Sequence, residues 1–259
     1  MNLKPILRYQ LRQFYDLFSV YYPIIYVIIL LGLMGKYARG NAFVSFSGME
    51  GLTILVCFVA GIVLFKGAFR FFTSCGVSRR RLFCGLTAAI AVTAAAVSLL
   101  DMINVTVFSN FIEYRTCYWS MVSGGSPFVT FLVPISFGSG KPLLQLLSFS
   151  FFLKNWLWCL LADFALAMLG FFIAVLYYRM NKPVKILVSV GVPAVCFLLL
   201  PMLNTSVAHG QIAWFIAAVS VRWSAWGLNP VLDLSTRLAA IAVLGGFTWL
   251  LFRKAELYR

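Results

Sequence analysis

Two aspartates, Asp101 and Asp163, lie deep in apolar runs, and that is where acid-base or ion chemistry would sit in this sequence. Asp101 falls about 20 residues past Arg81 and Asp163 about 16 before Arg179, so at 1.5 Å per residue both come about 24 to 30 Å from those basic flanks. Carboxylates inside a membrane are costly and often line a pathway. With Asn104 they form a candidate substrate or ion pathway, and hydrogen bonds that pack helices, to Asn104 or Asn155, explain the same pattern. An aspartyl dyad in a membrane-embedded enzyme is a further chemistry, although a single histidine, His209 in a polar loop, adds little to it. Six cysteines (Cys57, Cys75, Cys84, Cys117, Cys159, Cys196) have neither metal-ligand nor redox spacing, so no metal site is expected.

A second constellation is cationic. The stretch Phe71 to Phe83, FFTSCGVSRRRLF, sets Gly76, Val77 and Ser78 before Arg79, Arg80 and Arg81. Ser78 could cap a short cytoplasmic helix that presents the arginines, with Gly76 supplying permissive backbone before it. Such a helix either docks on a partner protein or serves as a charge anchor that fixes topology. No Gly-x-x-x-x-Gly-Lys-Ser/Thr loop occurs, so the chain has no recognisable cradle for ATP and no bound cofactor is expected.

The elements that must position these residues are membrane spans. Of 259 residues, 62% are hydrophobic and 11% charged, with a mean hydropathy of +0.94, which excludes a soluble fold. The net charge of +14 gathers at the ends of apolar runs rather than on one compact basic face, so nucleic acid is not an expected partner and membrane lipids are. The expected fold class is an all-α integral membrane protein of six spans in a single transmembrane domain, 1–259. The spans fall at about 17–34, 49–72, 82–108, 155–178, 184–203 and 231–252, each near the roughly 20 residues that cross the hydrocarbon.

Residues 1–16, too charged for a signal peptide, carry Lys4, Arg8, Arg12 and Asp16 at every fourth position. That is one stripe of an amphipathic helix, expected to lie on the inner leaflet or else to continue the first span. Alanines from Ala88 to Ala96 are expected to let span three approach a neighbour closely. The apolar pieces 127–137 and 143–153, and the region 204–230, are too short to cross and read as interfacial or re-entrant segments on the outer side. Trp156, Trp158, Trp214, Trp223 and Trp226 read as an aromatic belt. With the N-terminus inside, most basic residues fall on inner flanks, which places both termini in the cytoplasm.

The Gly76-Val77-Ser78-Arg79-Arg80 stretch resembles the coupling-helix segment, here 73–83, of permeases of type-2 ATP-binding-cassette exporters, particularly small bacterial six-span ones. The exit Tyr177-Tyr178-Arg179-Met180-Asn181-Lys182 and the ending Leu251-Phe252-Arg253-Lys254-Ala255-Glu256 are similar to that family too. The resemblance implies a multi-pass protein of the bacterial cytoplasmic membrane that is not itself an enzyme. Gly76, Val77, Ser78, Arg79, Arg80 and Arg81 would contact a separate ATPase dimer, which carries the ATP and magnesium. A second permease copy, identical or related, would complete the transporter, and its cargo would be amphipathic or apolar: a peptide, drug or lipid-like molecule. The competing expectations are a secondary transporter and a membrane-embedded enzyme using Asp101 and Asp163.

Overall fold

The computed structural model describes residues 4–38, 44–47, 49–109, 113–118, 135–137, 149–181, 183–185, 188–189 and 230–253. Its elements in chain order are α1 (Lys4–Ala38), β1 (Val44–Ser47), α2 (Met49–Ser74), α3 (Arg79–Phe108), β2 (Glu113–Arg115), β3 (Ile135–Phe137), α4 (Phe149–Arg179) and α5 (Pro230–Arg253). All five helices are long and apolar enough to cross a membrane, which makes this a multi-pass membrane protein.

The spans expected at 49–72, 82–108, 155–178 and 231–252 correspond to α2, α3, α4 and α5. Two boundaries differ. The first helix does not divide at residue 16: α1 is one helix of 35 residues, about 52 Å long, against about 30 Å of hydrocarbon. Its basic stripe is real, since Lys4, Arg8, Arg12 and Asp16 are all exposed. The opposite face, however, is docked on the bundle: Ile6 is buried against Gly85, where an added Cβ would come within 2.7 Å of the Ile6 side chain. Tyr9 stacks on Phe71 at 5.4 Å and meets Phe72 edge-on at 5.5 Å. These contacts hold the start of α1 to α2 and α3. The second difference is in 143–153, whose last residues, from Phe149, are the first turn of α4 rather than an interfacial piece.

The helical class gains one small sheet. β1 lies between β2 and β3, parallel to the first with Phe46 opposite Tyr114, and antiparallel to the second with Phe46 opposite Ile135. Residues 135–137 of the apolar piece 127–137 are therefore strand, while 127–134 lie outside the described residues. So do the span expected at 184–203, apart from 184, 185, 188 and 189, and the region 204–229.

α2 and α4 are packed backbone to backbone. A Cβ on Gly61 would overlap the Ala167 carbonyl oxygen, and one on Gly170 would overlap that of Phe58. Small residues that admit such approach replace the hydrophobic drive that lipid removes between helices. Toward the Arg79 end, Phe65, Phe69, Phe83, Phe171, Tyr178 and Phe252 form one aromatic cluster with centroids mostly 5.2 to 6.2 Å apart. A second cluster at the sheet end joins Ile25, Ile29, Met49, Met102, Cys117 and Trp158. Ala89 and Ala94 of the alanine run are buried, whereas Ala96 faces outward.

Candidate functional site

Two constellations stand at opposite ends of α3, twenty residues apart from Arg81 to Asp101, or about 30 Å along the helix.

At the basic end, α2 stops in a Schellman turn. The Gly76 amide donates to the Thr73 carbonyl at 3.1 Å and the Val77 amide to that of Phe72 at 3.0 Å. Gly76 sits at φ +72°, the left-handed conformation such a stop demands. Val77 packs on the core that includes Phe72, completing the motif's hydrophobic contact. Ser78 takes the extended N-cap conformation (φ −63°, ψ 141°), but its hydroxyl makes no capping bond. Arg79, Arg80 and Arg81 are the exposed first turn of the 30-residue α3, not a separate short helix. Cations there oppose the helix dipole by about 0.3 to 1 kcal/mol each. Arg79 recovers some of that elsewhere: its guanidinium donates to the Arg253 carbonyl at 2.8 Å, closing the C-terminal end of α5, where a cation is favoured.

At the sheet end, Asp101 and Asp163 meet a third carboxyl that the sequence did not single out. Glu50 is 2% exposed and accepts the Cys117 amide at 2.8 Å through Oε2, while its Oε1 has no partner among the described residues. Asp101 faces Thr53 and accepts the Tyr22 hydroxyl at 3.1 Å. Thr53 in turn lies 2.9 Å from the Tyr21 hydroxyl. Asn104 accepts from Tyr26 at 3.0 Å rather than bonding Asp101. Asn155 gives its amide to the Met102 sulfur at 3.0 Å and faces Glu50. Asp163 is 1% exposed and faces the Cys57 thiol, yet neither of its oxygens has a well-aligned hydrogen bond among the described residues.

The three acids lie at one end of the bundle, each on a different helix. Glu50, Asp101 and Asp163 interact electrostatically across α2, α3 and α4. Between α1, α2 and α3 lies a cavity of about 20 Å³ lined by Tyr21, Tyr22, Glu50, Thr53, Asp101 and Asn104, among others. That is room for about one water molecule. Among the described residues no group of three His, Cys, Asp or Glu side chains is arranged to hold a metal ion.

Trp158, expected in an aromatic belt, is instead buried, with the Arg237 guanidinium 4.4 Å from its ring centroid. His209, Cys196, Trp214, Trp223 and Trp226 lie outside the described residues. The sequence did not single out Tyr21, Tyr22 and Tyr26 either; their hydroxyls in an apolar run were the signal available, and Glu50 had none. The chain matches no protein-family model, no curated protein and no solved structure.

Proposed function

We propose that this chain is the transmembrane subunit of an ATP-binding-cassette exporter, moving an amphipathic or apolar cargo out of the cytoplasm with energy from a separate ATPase dimer. The observation that carries the reading is the turn from Gly76 to Arg81. A rigid stop at Gly76 presents exposed arginines on the first turn of α3, where helix energetics disfavours them. An exposed cationic turn on a rigid support can dock on a partner outside the bundle, beyond its part in fixing topology. The ATP and magnesium belong to that partner, and a second permease, identical or related, completes the transporter.

Six spans fit this reading. α4 and α5 run in the same direction, since Arg237 reaches Trp158 at one end while Phe252 meets Phe69 and Phe171 at the other. The parallel run supports a further crossing between Arg179 and Pro230, and 184–203 is the apolar stretch we assign to it, with 204–229 left as the outer re-entrant region. The basic end faces the cytoplasm of a bacterial inner membrane, with both termini on that side.

The test is whether an ATP-binding-cassette ATPase is encoded beside this chain and co-purifies with it. Arg80→Glu with Arg81→Glu abolishes co-purification while the permease still folds, and unchanged co-purification overturns the coupling assignment. Arg79 is left intact because its bond to Arg253 holds α5. The cluster of buried carboxyls favours one second reading, a secondary transporter or membrane-embedded enzyme using Asp101 and Asp163. Transport or cleavage that persists without any ATPase and is lost on Asp101→Asn would establish it.

A further inference from the structure

An open groove of about 440 Å³ runs between α1 and α3, lined among the described residues by Phe14, Phe18, Tyr22, Tyr26, Ala96 and Leu100, among others. It is overwhelmingly apolar along its length and falls within the size range of pockets for drug-sized molecules. At one end it meets the acidic constellation, because Tyr22 lines both the groove and the small cavity beside Glu50 and Asp101. The Tyr22 hydroxyl is bonded to Asp101, and its ring stacks on Tyr26 with centroids 6.2 Å apart. An occupant of the groove thus meets two tyrosine rings, one of them bonded through its hydroxyl to a carboxyl.

We propose that the groove binds a lipophilic cation. Its apolar bulk lies between α1 and α3, and its positive charge lies toward Tyr22, Tyr26 and Asp101. Three features converge on that chemistry. The groove wall excludes a hydrophilic ligand. Tyrosine faces attract a cation through the ring quadrupole. The titratable groups beside Tyr22 are acidic: Asp101 accepts its hydroxyl, and Glu50 lines the same small cavity with one oxygen that has no partner among the described residues. A neutral apolar molecule would use the groove and ignore the acids, and an anion would gain nothing from them. The inference rests on the exporter reading only in calling this cation a cargo.

Binding is measured on the full chain in phosphatidylcholine nanodiscs without any ATPase, with empty nanodiscs subtracted. The probes are tetraphenylphosphonium and tetraphenylborate, which share size and shape and differ in sign of charge. Saturable binding of the cation, at least about tenfold tighter than that of the anion, is the expected result. Asp101→Asn weakens cation binding about tenfold, and Ala96→Trp, which fills the groove without touching a carboxyl, abolishes it. Equal binding of the two ions, no saturable binding, or cation affinity unchanged in Asp101→Asn overturns the proposal. If Asp101→Asn does not fold, Ala96→Trp decides: lost binding in a folded protein supports the site, and retained binding removes it. Co-purification with the ATPase is read separately, so either proposal can fail alone.

Discussion

Glu50 ties α2 to the segment after β2 by accepting the Cys117 amide, and removing that acceptor strands a buried N–H. Glu50→Ala is expected to destabilise the sheet end by about 1 to 3 kcal/mol, whereas Glu50→Gln, which keeps an oxygen in place, costs less. The readout is Cys117 itself. Burial, with Glu50 beside it, pushes its thiol well above the ordinary range, so the reactive thiolate is scarce and the native residue resists maleimide. Glu50→Ala should let it label, while exposed Cys75 is modified in every variant. If Cys117 stays protected in Glu50→Ala, the bond does not hold this end closed. The residue scale also shows where sequence reading loses sight. Asp101 and Asp163 were legible because a charge inside an apolar run stands out, whether it packs helices or lines a pathway. Glu50 follows Met49 in the first turn of a helix, where an acid is favoured by the dipole, and only a contact 67 residues away buries it.

Gly61 and Gly170 set the spacing of α2 and α4, so the contact between these helices is a property of two hydrogens. Gly61→Leu or Gly170→Leu forces the backbones apart and should cost several kcal/mol, visible as loss of the folded monodisperse protein. Gly246→Ala is the contrast. Nothing lies within 4 Å of the added carbon, so it should be neutral or raise the unfolding temperature slightly, by about 0.5 to 1 kcal/mol of helix preference. Gly76→Ala differs from both: it has space, yet φ +72° strains an L-residue, so a loss of about 1 to 2 kcal/mol is expected in thermal unfolding. At this scale four spans were legible almost to their ends, since runs of apolar residues need no long-range information. The strands were not: three or four residues carry no usable alternation, and β1 finds its partners only across the α2–α3 hairpin and beyond. The stripe of residues 1–16 was read correctly as one face, but no stop signal separates it from the span, so α1 continues through it.

At the scale of the molecule, α4 and α5 end on the same side, at Tyr178 and Phe252, both of which touch Phe69. Reporters fused after Arg179 and before Pro230 should therefore read opposite compartments; the same compartment for both would deny the return crossing. The order of the helices was legible from hydropathy, while their arrangement was not, because which faces meet depends on glycines and aromatic rings with no periodic signature. The direct backbone contact of α2 with α4 has a mechanical corollary. With no side chain between them at Gly61 and Gly170, and aromatic rings interlocked beyond, those two helices are expected to move as a unit. In α1 and α5 only 17% and 6% of the apolar window is covered within the chain. Relative movement is therefore expected of the outer helices before α2 and α4, and along its middle α1 meets α3 through the Tyr22 and Tyr26 hydroxyls, bonds that can break one at a time.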